Sequence, residues 1–499
     1  MYIRKNKGIT LIALIITVIV MLILAGVAIG SIINNGLIDK TGQAVEAYNN
    51  SVNNENDQMN NALGWFDNIN GGSNNGGSTD GSWNGVVNTP KLASGMKAVY
   101  WAKNDAGDID TENPANNTIE IIEGAQNFKP ENWYNYVAQT GTTDGKTSRW
   151  ANAKTDDGSY WVWIPRFAYE ITKGLGTSTA GTINIKFLQG TTNKDSDGNT
   201  ISTTYPTVIG DAMTDYVVEP CFTNGTANNY ENGEWKADVS GIWVAKFEAS
   251  NANATASSAG TSNNTIKISP NVKSKTDVII GTFYTIAYDY DRDLESHMIK
   301  NSEWGAVAYL THSQYGRNGT EVSINSVTTT GGGDYANNVS QSSTGNITGI
   351  YDLNGGVWEH VAAYIPNGQS LLSSQGGEGW QGVSTVATPT PTDISTPYTT
   401  AYPYSDSSKT WADNYMVYKN LQTSTYGYGD AILETSTTGA SVMNAWNGDY
   451  TGFPPYSSPL YVFFVRGGAN NLGTGAGIFA YYQSEGTPNG GGLRVVLIP

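Results

Sequence analysis

Aromatic residues are spread along this chain at a density that only a folded interior can absorb. There are 14 Trp and 30 Tyr among 499 residues, while Lys, Arg, Asp and Glu together make up only 14%, against roughly 25% in an average soluble domain. Disordered chains carry few aromatics, so most of this one must fold, with Asn, Thr, Ser and Gly rather than ion pairs facing water. The length suffices for one large core or several smaller ones. A net charge of -17 leaves no basic run to neutralise phosphates, which excludes a nucleic-acid partner. Cys221 is the only cysteine, so no intrachain disulfide framework exists.

Arg4, Lys5 and Lys7 precede an apolar run from Ile9 to Ile29, broken only by Thr10, Thr17 and Gly26. A run of this length spans a hydrocarbon core as a helix. The basic flank stays cytoplasmic, which puts the rest of the chain outside. Polar sequence continues the expected membrane helix to 9–64. Three readings stay open: a secretory signal peptide ending in the small residues of AGVAIGS, a permanent single-span anchor, and a processed leader. KGITLIALIITVIVMLILAGVAI resembles the leader of type IV prepilins and pseudopilins. That resemblance implies a leader over 1–8 cut after Gly8, with Ile9 as the mature terminus, and pilus or pseudopilus components as partners. The family usually has a glutamate at the fifth mature position, where this chain has Ala13. The departure argues against a major filament subunit and for a membrane-held or filament-associated display protein.

NINGGSNNGGSTDGSW, within 65–90, is a flexible linker, because Gly, Ser and Asn neither nucleate helix nor bury surface. Residues 91–146, with Trp101 and IEIIEGAQNF, form a small strand-rich peripheral region. The main module covers 147–499. SYWVWIPRFAYEI reads as strand, with Pro165 marking an edge or a bulge. TINIKFLQG and SGIWVAKFEAS read as further strands, and SEWGAVAYLTHSQYG reads as a helix with Trp304, Ala306, Tyr309 and Leu310 on one apolar face. The fold class is therefore α+β, with Trp304, Trp358, Trp446 and Trp243 as core anchors and long irregular connections at 318–345 and 377–402.

Five segments recur in a consistent order: GIWVAKFEAS, SEWGAVAYL, GIYDLNGGVWEHVAAY, FVRGG and GGLRVVLIP. Together they resemble the formylglycine-generating-enzyme, or sulfatase-modifying-factor, branch of the C-type-lectin fold, with Gly356 where that family has Asn. In the enzyme, the reaction needs a pair of cysteines that binds copper. Cys221 alone does not supply one. The three histidines, His297, His312 and His360, lack the compact spacing of a metal motif. No cofactor is expected. A structural calcium is an open alternative, with Asp352, Asn354, Asp289 and Asp291 as hard oxygen ligands. Adjacent strand residues face opposite ways, so Glu359 is expected in a buried network near Trp358, with His360 outside. Arg466 and Arg494 are expected to meet buried carboxylates or carbonyls.

With catalysis weakened, the segment FFVRGGANNLGTGAGIFAYYQ becomes a candidate binding face. Gly467 and Gly468 sit in one flanking strand and Arg494 in the other. Between and beside the strands lie Tyr461, Phe463, Ala469, Asn470, Asn471, Thr474, Tyr481, Tyr482, Ser484, Thr487 and Asn489. Tyr offers broad contact with few rotors, and small polar neighbours adapt around it; rigid strands beside variable loops make a sound platform. The pattern also resembles the variable proteins of diversity-generating retroelements, which implies a diversified receptor or adhesin. The expectation is a non-enzymatic ligand-binding protein displayed on the bacterial cell surface, its partner a protein or glycan on another cell, phage or host. A structural minor pilin, or a metal-dependent enzyme of the sulfatase-modifying-factor superfamily, is the alternative.

Overall fold

The first described strand, β1 (Met96–Ala102), pairs on one side with β2 (Ile119–Ile122) and on the other with β3 (Asn152–Thr155), which pairs in turn with β4 (Tyr160–Pro165). The 91–146 region therefore shares a sheet with the main module. The computed structural model describes residues 80–139, 148–225, 230–261, 264–365, 375, 395–402, 415–416, 427–454, 461–488 and 490–499, all within the unit Trp65–Pro499. Pro165 has no amide hydrogen and closes β4. Past Arg166 the chain moves into a second sheet as β5 (Phe167–Lys173), paired with β6 (Thr182–Phe187). A short hairpin, β7 (Val208–Ile209) and β8 (Ala212–Met213), precedes β9 (Val217–Val218), which pairs with the free side of β5.

The chain re-enters the main sheet at β10 (Gly241–Ala245), antiparallel to β4, with Trp243 opposite Trp163 and their rings 5.2 Å apart. Every residue of β4 and of β10 is buried, which is why both read as nearly continuous large apolar runs rather than as alternating ones. The hairpin β11 (Ser250–Asn251) and β12 (Ile266–Lys267) leads to helix α1 (Ile280–Tyr288), strand β13 (His297–Met298) and helix α2 (Asn301–His312). In α2 the Glu303 carboxylate accepts from the Lys300 amide at 2.8 Å, capping the first turn. The expected single apolar face is replaced by burial of all 12 residues of the helix, because sheets and irregular chain enclose it.

β14 (Glu359–Tyr364) and β15 (Thr400–Ala401) begin a third sheet, and the hairpin β16 (Val442–Met443) and β17 (Tyr450–Thr451) forms its own two-stranded ladder beside it. The third sheet is completed by β18 (Phe463–Gly467), β19 (Gly477–Ser484) and β20 (Gly492–Leu493). β21 (Val495–Leu497) returns to the main sheet between β10 and β13. The last strands thus join two sheets, which fixes the frame on either side of residues 468–476.

Among the described residues no helix is long and apolar enough to cross a membrane. α2, the longest of these helices, extends about 18 Å, short of the ~30 Å hydrocarbon thickness. The expected fold class is corrected accordingly for the described residues: they contain neither the long membrane helix nor the transmembrane anchor on which the expected location was built. What the described residues form is a mixed α+β fold with short helices. The segments assigned to that helix and to its processing, including Gly8 and Ile9, lie outside the described residues, as does Asn489.

Candidate functional site

Register decides which residues of the closing segment meet solvent. Residues paired across strands share a face. His360, Val465 and Tyr482 form one row, and Glu359, Arg466 and Tyr481 form the next, facing the other way. The second row points into the core. Tyr481 is fully buried, and its hydroxyl lies 3.1 Å from both the Thr438 carbonyl and the Ser436 hydroxyl. Phe463 is likewise buried, against Gly486. Both were expected in the binding face: the pleat turns Tyr481 out of it, while Phe463, on the outward face opposite Ser484, is covered by the chain at Gly486 and Ile280.

Tyr482 turns outward and is half-buried. Its ring stacks on Trp358 at 5.9 Å and 27° and meets Tyr450 edge-on at 5.4 Å. The Ser441 hydroxyl lies 2.8 Å from the Tyr450 hydroxyl and 3.3 Å from that of Tyr482. A side chain at Gly452 would strike the Tyr482 ring at 2.1 Å, so only glycine lets the ring lie there. Trp358, expected as a core anchor, is half-buried instead because it precedes β14 on the outward face. Trp304 and Trp446 are buried, their indole nitrogens donating to the Ile478 and Gly174 carbonyls at 2.8 and 3.0 Å.

The aromatic ridge continues onto β16, where Val442 is 40% and Met443 51% exposed. Met443, Leu472 and Tyr450 converge over Gly475, so the 469–474 turn and the hairpin make one surface. Asn471 and Thr474 are exposed; Ala469 and Asn470 are partly so. The Asn470 amide donates to the Gly356 carbonyl at 3.0 Å. Gly467 and Gly468 enter this turn with φ of 83° and 80°, a conformation that favours glycine. Tyr461, Ser484 and Thr487 are half-buried, and the Ser484 hydroxyl accepts from the Gly486 amide at 3.0 Å. The surface is nearly free of charge: between Arg466 and Arg494 the only ionisable acid or base is Glu485.

Val442, Met443, Ser441 and Tyr450 were absent from the sequence-based set. The Asn447–Gly448 pair between them, with φ of 62° and 83°, is the dipeptide that marks a tight reversal between strands.

Beneath the ridge the frame is held by buried charge. Arg494 donates to both Glu359 oxygens, at 2.9 and 2.6 Å, and to the Ala245 and Tyr351 carbonyls at 2.7 and 3.0 Å. Glu248 and Asp352 lie close by. Burial drives Glu248 well above the carboxylate range and raises Asp352; it raises Glu359 to about 7 against the pull of Arg494. Arg466 braces the Ala480, Asp430 and Ala431 carbonyls at 3.0, 2.8 and 3.0 Å.

The chemistry-bearing residues do not converge. Cys221 is buried, and its thiol is pushed well up by burial and by Glu219, away from the thiolate form. His297 contacts Glu303 Oε1 at 2.8 Å and stacks on Trp235; His312 contacts the Gly181 carbonyl at 3.0 Å beside Trp446. His360, expected outside, is buried against Phe283, because α1 covers that part of the outward face. Asp352 is enclosed by Asn325 and by the amide of Gly331, and Asn354 donates to the Val322 carbonyl at 2.6 Å. Asp289 and Asp291 instead line a separate cavity of about 440 Å³. Among the described residues no group of three or more His, Cys, Asp or Glu side chains is placed to hold a metal ion. Compared with known proteins, the chain matches no family model and has no significant match among curated proteins.

His360 gives the frame an acid limit. Burial lowers it from 6.5 to about 4. The neutral ring is favoured in the folded state, so its contribution is present above about pH 6.5 and is lost as pH falls through about 4. Thermal unfolding should show this loss, and His360→Phe should shrink it. An acid limb that His360→Phe leaves unchanged would assign the effect to other groups.

Proposed function

We propose that this chain is a ligand-binding protein whose contact face is the ridge of Trp358, Tyr482 and Tyr450, bordered by Met443, Val442 and the 469–474 turn. The observation that carries this reading is Tyr482: an outward ring, half-open to solvent, held from three sides by Trp358, Tyr450 and the Ser441 hydroxyl. Preorganised aromatics with few free rotors lose little entropy on binding. Exposed Met, aromatic rings and a near absence of charge are the composition of an interface centre, and Asn470, Asn471 and Thr474 supply a polar rim. The resemblance of the closing segment to retroelement variable proteins supports the same face, with Ala469, Asn470, Asn471, Thr474, Tyr482, Ser484 and Thr487 as the positions where substitution would alter contact rather than fold. A protein or a glycan ligand fits this reading.

The test is a binding screen of the full chain on one array of immobilised peptides and oligosaccharides. Aromatic truncation at an interface centre costs about 2 kcal/mol or more. Tyr482→Ala and Trp358→Ala should therefore weaken the strongest signal at least ~10-fold, with thermal unfolding changed little. Tyr481→Phe, which removes only a buried hydroxyl, should leave the signal intact. Retention of full binding by both folded alanine variants would reject the face.

A further inference from the structure

The segment from Gly427 to Ser436 is strapped to the third sheet by Arg466, through the Asp430 and Ala431 carbonyls, and by Tyr481, through Ser436. It brings two carboxylates, Asp430 and Glu434, to a third, Glu219, and all three are buried. Glu434 accepts from the Tyr169 hydroxyl at 2.9 and 3.1 Å, from the Gly429 amide at 2.9 Å and from Tyr309. Asp430 accepts from the Ile432 amide at 2.9 Å and from Tyr402 at 3.2 Å. Among the described residues no donor reaches either oxygen of Glu219 in full hydrogen-bond geometry, the Cys221 amide being a backbone contact, and the Tyr205 hydroxyl faces Glu434. The approach is close: a side-chain carbon on Gly429 would meet Glu219 Oε1 at 2.7 Å.

The cation that faces this chamber is Arg466 from β18, and its donors go to carbonyls and to the Asn301 amide oxygen. Among the described residues no ion pair joins it to the three acids. From β5, α2 and the neighbouring loops, the phenols of Tyr169, Tyr309, Tyr205, Tyr402 and Tyr428 face the same acids, and burial holds every one of them neutral. The Cys221 thiol, also facing Glu219 and with Lys300, Glu303 and Arg166 within electrostatic reach, is neutral for the same reason. Three anions buried together beside one guanidinium would repel at short range. Burial first, then mutual repulsion, pushes Glu219 well above the carboxylate range and Asp430 up to about 7; burial also raises Glu434.

We propose that the Glu219–Asp430–Glu434 chamber is a proton-operated latch: protonated, it holds the 427–436 strap in place, and as its protons leave it releases the strap and the β16–β17 hairpin that follows. The direction follows from linkage. An acid whose folded form holds its proton more tightly than the unfolded form stabilises the fold at low pH, and that contribution fades as pH rises through the folded value, about 7 for Asp430. The latch stands whether or not the ridge binds a ligand.

The test is hydrogen exchange of the full chain at about pH 5 and about pH 8, corrected for intrinsic rates. The expected result is loss of protection across 427–436 and 442–451 at the higher pH, while β4 and β10 stay protected in the same sample. Asp430→Asn, which keeps the shape without the charge that appears near pH 7, should retain that protection. Equal protection at both pH values in the wild type overturns the latch, as does a loss in Asp430→Asn as large as in the wild type. If Asp430→Asn does not fold, a strap in the wild type that stays protected at the higher pH still decides against the latch.

Discussion

Arg494→Met is expected to lower the unfolding free energy by about 3–5 kcal/mol, the usual effect of removing one partner from a buried ion pair. Methionine fills part of the volume but leaves the Glu359 carboxylate without its counter-charge, and it strips donors from the Ala245 and Tyr351 carbonyls, all inside the core. The loss should depend on pH. Glu359 already titrates near 7 with Arg494 present, and it will rise further once the guanidinium is gone. Below that range the variant can protonate Glu359 and avoid a buried anion; above it, the penalty is complete. Urea unfolding at about pH 5 and about pH 8 should therefore show the larger loss at the higher pH. A loss independent of pH would mean that the carbonyl contacts, rather than the ion pair, carry the effect.

Trp304→Ala is expected to cost about 3–5 kcal/mol, as deletion of a large buried aromatic does. The indole is 1% exposed and donates to the Ile478 carbonyl at 2.8 Å. The Arg466 guanidinium lies 5.6 Å from the ring centre, and the ring backs onto Gly467, where a side-chain carbon would meet it at 3.3 Å. Removing it opens a cavity under the turn that presents Asn470 and Asn471, so stability and the shape of the contact face should suffer together. Trp358→Ala should separate them, since that ring lies at the surface on Tyr482. Chemical unfolding of the two variants side by side measures the contrast; equal losses would place Trp358 in the core after all.

The strand positions were legible where both faces are buried, because YWVWIP and GIWVA leave few alternatives to sheet interior. The helix at Asn301–His312 was legible from its length and its Trp, Tyr and Leu spacing, although its burial on every side was not, since enclosure depends on elements distant in sequence. The binding face was half legible. Tyr481 and Tyr482 are adjacent and chemically identical, and only the pairing with Arg466 and Val465 sends one inward and the other outward. A one-residue difference in register would exchange them. His360 was misplaced for a related reason: its face was correctly opposite to that of Glu359, but α1 covers it. The carboxylates of the latch come from positions 219, 430 and 434, and no spacing along the chain marks their meeting.

The most direct measurement is hydroxyl-radical footprinting of the full chain, with and without the strongest binder from the array. Trp358, Tyr482, Tyr450 and Met443 are expected to lose reactivity together in the complex, while Ile209, exposed on the β7–β8 hairpin outside the proposed face, does not change. Protection at other sites, with those four side chains as reactive as in the free protein, would contradict the proposed face.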